Sequence, residues 1–361
     1  HLGQHVRQEQ HLSVAGACDE AVFGIACVLD HEPRITNAGL AVDGYLYSFD
    51  LATQQRTILH VFDEDRSKGK LIQSGSKLYG STERGIFCYD LATEELEILY
   101  EIQNTDLSRK PVGTLTLHPN GKLYGVASQN TVYRGSFYSL DLATNAFDEL
   151  FYYNQSDYGR AAEFLLAPNN RFYGLSVNSY TAPLPDMVHL FTMNPDNDQL
   201  EFLSALTNSG STSALSITAG SNNQLYVSSV QYAQSSNLSK LIRYDISSQE
   251  TTTIYTSTDY PMMIEMEISK DNSKLVGYCL TSDNSFGLCS FSLGTNQIEV
   301  IHNLDNPTQP NKLVSDTSGM IYTLTKPTGN GCDILSIDPQ SGNVSSLHHF
   351  SGANLLPNMC L

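Results

Sequence analysis

At 361 residues, with 38 acidic against 20 basic side chains and a formal charge of -18, the chain repels phosphate backbones and anionic membrane surfaces, which excludes nucleic acid as a partner. No stretch approaches the roughly 18 apolar residues of a spanning helix, so no integral membrane segment is expected. Seven cysteines without paired Cys-x-x-Cys spacing, and no phosphate-cradling glycine loop, nucleophile elbow or dinucleotide fingerprint, leave no call for a metal or a cofactor.

The chain begins at His1 rather than Met, as a processed form or a fragment would. Residues 1–9 read as an N-terminal extension, and its His1 and His5, with His11 beyond, lack the neighbouring acid that a metal site needs. Gln10 to Gly16 then supplies a first strand, Val22 to Ala26 a second, and the long insertion Leu29 to Gly44 delays the third. That third strand ends on Asp50-Leu51-Ala52-Thr53, and the same four letters return at Asp90 to Thr93 and Asp141 to Thr144. Weaker copies start at Asn194, Asp245, Ser292 and Asp338, a spacing of roughly 40 to 53 residues. Short strands at this period, with no linker between them, mark a repeat whose units cannot hide their apolar faces alone.

A second recurring element precedes each anchor: a polar turn followed by an aromatic strand. It reads Gly75-Ser76-Lys77-Leu78-Tyr79-Gly80, then Pro119-Asn120-Gly121-Lys122-Leu123-Tyr124-Gly125, then Pro168-Asn169-Asn170-Arg171-Phe172-Tyr173-Gly174. Later copies lie at Ser221 to Tyr226, Asp271 to Gly277 and Thr317 to Tyr322. Asn, Asp, Ser and Gly favour hairpin turns, so each unit counts four strands. The clearest runs Gly113 to Leu117, Lys122 to Ser128, Gly135 to Asp141 and Phe147 to Tyr153, with Leu115, Leu117, Phe137, Leu140, Phe147 and Leu150 as its candidate core. The expected fold is all-β, a seven-bladed β-propeller of four-stranded antiparallel blades over residues 10–350, with 351–361 as a tail sealing the ring.

The run of turn, Leu-Tyr-Gly, Gly-x-Phe/Tyr, Asp-Leu-x-Thr and Leu-x-x-Phe resembles the GloVer-type tandem-repeat propellers of exported bacterial proteins. Leu78-Tyr79-Gly80, Gly85-Ile86-Phe87 and Leu99-Tyr100 carry it, as do Leu123-Tyr124-Gly125, Gly135-Ser136-Phe137 and Leu150-Phe151. Tyr226-Val227 departs from it, with valine where glycine would follow tyrosine. The resemblance implies a fold and a secreted or cell-surface location, and no activity. Sequons at Asn154, Asn237 and Asn343 matter only in a eukaryotic secretory pathway. Cys279 and Cys289 flank a turn at residues 282–285, where a hairpin centred on residue 284 sets them directly opposite; a disulfide and two buried thiols are equally good readings.

Connections between second and third strands, and between units, are long and varied, so that face is the expected binding surface. Its candidate residues are Arg109, Tyr133, Arg134, Tyr158, Arg160, His189, Tyr232 and Tyr260, since tyrosine rings stack on sugars and arginine forks grip carboxylates. Glu163, Glu265 and Glu267 lie on innermost strands, where a channel-facing carboxylate would hold a cation or water. His60, His302, His348 and His349 fall on fourth strands as polar edge residues. Asp63-Glu64-Asp65 and Asp196-Asn197-Asp198 lack the full calcium-loop pattern and read as solvated turns. The leading function is a recognition scaffold for a glycan or protein ligand. A polysaccharide lyase, with Tyr133 or His189 as base and Arg134 or Arg160 neutralising a uronate, is the alternative, and self-association as a structural unit is the third class. The chain leans away from being an enzyme because no spacing demands one.

Overall fold

The computed structural model describes residues 8–17, 21–29, 35–36, 39–40, 42–50, 52–62, 67–82, 84–101, 110–128, 135–153, 160–178, 187–206, 211–232, 238–258, 263–280, 285–304, 313–325 and 332–350. Its contacts divide the chain into two compact units, one of His1–Glu101 with Asn306–Leu361 and one of Ile102–Asp305. In the first unit, β1 (Gln8–Ala17), β2 (Ala21–Leu29), β5 (Val42–Asp50) and β6 (Arg56–Phe62) form one sheet, with a small ribbon of β3 (Ile35–Thr36) and β4 (Gly39–Leu40) inserted between its second and third strands. The unit also holds the meander β7 (Ser67–Ser74), β8 (Lys77–Thr82), β9 (Gly85–Asp90), β10 (Glu95–Glu101) and the meander β27 (Val314–Ser315), β28 (Ile321–Leu324), β29 (Cys332–Ile337), β30 (Val344–Phe350).

The second unit contains four meanders. They are β11 (Lys110–Leu117) to β14 (Phe147–Tyr153) through β12 (Lys122–Ser128) and β13 (Gly135–Asp141), and β15 (Arg160–Leu166) to β18 (Gln199–Ala205) through β16 (Phe172–Asn178) and β17 (Met187–Asn194). Next come β19 (Ser211–Ala219), β20 (Gln224–Tyr232), β21 (Leu238–Asp245), β22 (Thr251–Ser257), and β23 (Met263–Ile268), β24 (Lys274–Leu280), β25 (Phe286–Ser292), β26 (Gln297–Asn303). Every pairing is antiparallel, and each sheet has four strands apart from the ribbon. Among the described residues six sheets are simple meanders, one fewer than the seven expected. The difference lies in the first sheet, where the insertion foreseen at Leu29 to Gly44 splits the run with a ribbon.

The anchor tetrapeptide is a hairpin turn with a fixed chemistry. The residue four positions after each anchor adopts positive φ in every copy: Gln54, Glu94, Asn145, Asp198, Gln249 and Asn296 between 54° and 59°, and Gly342 at 74°. In the copies at Asp50, Asp90, Asp141, Ser292 and Asp338 its N–H bonds back to the anchor carbonyl, as in Gln54 to Asp50 at 2.9 Å and Asn145 to Asp141 at 2.8 Å. The anchor carboxylate accepts the next orphan amides: Asp50 takes Ala52 and Thr53, Asp141 takes Ala143 and Thr144, and Asp245 takes Ser247 and Ser248. Those bonds favour the charged form and hold the carboxyls of Asp50, Asp90, Asp141 and Asp245 below their usual value, through Thr53, Ala92, Ala143 and Ser248 first of all.

The glycine after tyrosine has a packing cause. Gly80, Gly125 and Gly174 stand opposite Phe87, Tyr138 and Phe191 on the neighbouring strand, and each ring occupies the space a glycine Cβ would take. A Cβ would meet ring atoms at 2.4 Å on Gly80 and 2.3 Å on Gly125 and Gly174. Where the facing residue is aliphatic, the glycine gives way: Val227 opposes Ile242 and Thr323 opposes Leu335. The departure at Tyr226-Val227 is therefore a matched exchange of ring for branched chain.

Outer strands share one irregularity. In all seven four-stranded sheets, the pairing of third and fourth strands skips one residue, and that residue is always leucine or isoleucine: Leu59, Leu99, Leu150, Leu203, Ile254, Ile301 and Leu347. A bulge turns the extra side chain off the ladder. Leu59, Leu150, Leu203 and Ile254 thereby pack against clusters that include the following sheet, such as Ile217, Leu225 and Val227 around Leu203. The Leu of Leu-x-x-Phe is thus a wedge between sheets. Of the core residues expected in the β11–β14 sheet, Leu115, Phe137 and Leu140 are buried, while Leu117, Phe147 and Leu150 are half-buried.

Candidate functional site

The long connections that were expected to carry the site lie outside the described residues, and with them Arg109, Tyr133, Arg134, Tyr158 and Tyr260. Arg160 and Tyr232 are placed by backbone alone, Arg160 opposite Val177 at the start of β15 and Tyr232 opposite Ser211 at the end of β20. His1, His5, Asp63-Glu64-Asp65 and the tail 351–361 also lie outside the described residues.

His189 is the one candidate with a described side chain. It stands opposite Ser176 on β16 and Ala205 on β18, half-buried, with its ring edge-on to Phe202 at 6.1 Å between centroids. Burial pushes its pKa below the ordinary imidazole value, so it is neutral near pH 7 and able to accept a proton.

The innermost-strand acid Glu163 has a different occupation from the one expected. Its Oε2 accepts the backbone N–H of Ile217 on the next sheet at 3.1 Å. The same register in β19 holds Ser216, whose Oγ accepts the N–H of Met266 on the sheet after that, at 2.9 Å. Both sit at the bulge of a first strand, which frees an acceptor to reach sideways. Glu265, in the corresponding strand, has a φ of 52°, and both it and Glu267 are half-buried.

Sequence reasoning missed His118, which is 6% exposed at the end of β11. Its Nδ1 accepts the N–H of Asn120 at 3.1 Å, so Nε2 carries the proton and donates to the carbonyl of Asn170, 3.2 Å away in the next sheet's turn. Its ring lies 5.7 Å from that of Phe172. The signal was a lone histidine directly before a Pro-Asn-Gly turn, where Ala167 and Gly220 stand in neighbouring copies. A parallel link joins Ser221 and Asn272, through Ser221 N–H to Oδ1 at 2.9 Å and Nδ2 to Ser221 Oγ at 2.6 Å.

The outer-strand histidines are more engaged than bare edge residues. His60 packs edge-on to Phe62 with its pKa lowered by burial, His348 meets Phe49 at 5.2 Å, and His349 Nδ1 lies 2.9 Å from Asp333 Oδ1. Asp196 to Asp198 is a hairpin turn, with the Asn194 side chain accepting the Asp196 N–H. Among the described residues no three His, Cys, Asp or Glu side chains converge as a metal site, and no described helix is long and apolar enough to cross a membrane.

Cys279 and Cys289 are joined as a disulfide with their Cα atoms 5.9 Å apart, and both are fully buried. They are not directly opposite. Cys279 faces Gly287 and Cys289 faces Gly277, because the hairpin is centred one residue earlier than expected, and the bridge runs diagonally between adjacent strands. Cys88 is a buried free thiol whose pKa is raised, mainly by burial.

No protein-family model and no curated protein matches the chain. Solved structures do. An oligogalacturonate lyase in complex with manganese is 14% identical over 94% of this chain and 100% of its own, with a TM-score of 0.65. A puromycin-hydrolyzing peptidase of Mycobacterium tuberculosis is 12% identical over 94% of this chain and 53% of its own, at 0.66. The β-propeller domain of the Trilobed protease from Pyrococcus furiosus is 13% identical over 98% of both chains, at 0.61.

The fold is a β-propeller of four-stranded antiparallel blades. The chain spans about half the length of the peptidases it matches. Likeness at these identities carries the propeller architecture and no chemistry. Among the described residues, Glu163 and Ser216 tie one blade to the next, and His118 ties two turns.

Proposed function

We propose that this propeller is a secreted or cell-surface recognition scaffold that binds a glycan or protein ligand through the face bearing its long connections. The observation that carries the reading is a division of labour. Turns between first and second strands, and between third and fourth, are short and bonded within themselves and to neighbouring turns. The connections between second and third strands at residues 129–134, 179–186 and 233–237 vary in length and letters, as binding loops on a rigid frame do. A buried disulfide suits an oxidising compartment, and the GloVer-type motifs agree with export. The sheet β1-β2-β5-β6 is counted as the seventh blade, altered by its ribbon.

Likeness to an oligogalacturonate lyase favours a second reading, in which Tyr133 or His189 removes the proton beside a uronate carboxylate that Arg134 or Arg160 neutralises. One experiment separates them. Oligogalacturonates and a panel of neutral glycans are titrated calorimetrically while ultraviolet absorbance follows unsaturated product. Saturable binding without product supports the scaffold, product formation supports the lyase, and no heat from any glycan sends the search to protein ligands.

A further inference from the structure

One position in the repeat breaks the pattern of the core. The second-strand residue one step past the glycine position is Val126, Leu175, Tyr278 and Leu324 in four blades, paired with Phe137, Leu190, Leu288 and Ile334. In the blade of β19–β22 it is Ser228, paired with Leu241. The truncated side chain leaves a cavity of about 10 Å³ lined by Ser228, Leu241, Tyr255, Met263 and Phe291, with Ser239 at its side.

Ser228 is 2% exposed, and its hydroxyl oxygen has no hydrogen-bond partner in the protein. Ser81, the other serine at this register, is also buried but has an interaction partner. An unbonded buried hydroxyl forfeits the hydrogen bond it had in water, whereas a bridging water removes most of that penalty. A cavity of this size is at the lower bound for one water centre, and such a water needs two to four polar neighbours. Ser228 and Ser239, which share one face of the sheet, line the space and supply two hydroxyls. Oily walls alone would favour a dry void; the unsatisfied hydroxyl decides otherwise.

We infer that this cavity is a binding site for a single internal water, held by Ser228 Oγ between β20, β21 and β23. The site is independent of the ligand-binding reading. The test is a crystal structure at about 1.5 Å of the intact chain and of its Ser228→Ala and Ser228→Val variants. The expected result is one ordered density peak within hydrogen-bond distance of Ser228 Oγ, lost in Ser228→Ala and replaced by methyl density in Ser228→Val. A wild-type cavity with no peak, a Ser228 hydroxyl turned onto a protein acceptor, or a peak that persists in Ser228→Ala would overturn the assignment. The alanine change removes one buried oxygen and leaves the fold intact, so the comparison does not depend on the valine variant crystallising.

Discussion

Gly174→Ala is the sharpest probe of the ring-over-glycine packing. The added Cβ would sit 2.3 Å from Phe191 Cζ, 2.7 Å from its Cε1 and 2.8 Å from the Glu163 carbonyl oxygen. Ordinary contact needs more than 3.4 Å, so the ring must retreat by about 1 Å, and Phe191 is fully buried among Phe137, Phe164 and Phe172 with nowhere to go. Overpacking of this kind costs about 2–4 kcal/mol, at the upper end of small-to-large changes, because one neighbour is backbone. Phe191→Leu alone leaves a void and costs about 1–2 kcal/mol. Together they imitate Val227 opposite Ile242, so the double variant should recover at least about 1 kcal/mol relative to the sum. Urea unfolding followed by circular dichroism measures all four corners of the cycle. Strictly additive losses, or a Gly174→Ala protein as stable as wild type, would show that the ring does not dictate the glycine.

Acid should weaken the anchor turns. The carboxyls of Asp50, Asp90, Asp141 and Asp245 titrate below their unfolded value of 3.8 in the folded state, so their stabilisation is fully present above that value and is lost as pH falls through the lower folded value. Asp141→Asn, which keeps the acceptor, should flatten that part of the stability-against-pH curve below pH 4, while Asp141→Ala lowers stability at neutral pH as well. Reduction or Cys279→Ala/Cys289→Ala replacement opens a loop with a sequence separation of 10 and should cost about 2–3 kcal/mol, read as a lower urea midpoint; an unchanged midpoint would mean the bridge adds nothing. His118→Ala should cost about 2 kcal/mol through its two hydrogen bonds and ring contacts, and hydrogen exchange should speed up at the Asn120 amide that it caps.

Much of this was legible because the repeat reports itself. Lys122–Ser128, Gly135–Asp141 and Phe147–Tyr153 coincide with the strands expected there, and the anchor positions are the hairpin turns. What the letters hid is relational. Nothing in Glu163 says that its carboxylate reaches Ile217 some fifty residues on, and nothing in Leu203 says that it leaves its ladder. Both depend on bulges, which shift a strand by one residue and so invert an alternation-based reading. The diagonal disulfide comes from a different one-residue offset, a displaced hairpin centre in a ladder that carries no bulge.

The displaced leucines and isoleucines of the fourth strands bear on the company this molecule can keep. A strand whose amide rhythm skips a beat halfway along offers no uninterrupted template to a passing chain, even where Ile58, Ile98 and Val300 show their greasy flanks to water. The residue that glues one copy of the repeat to the next also spoils the rim for fibril growth, so lengthening an array by duplication carries its own safeguard against sticking.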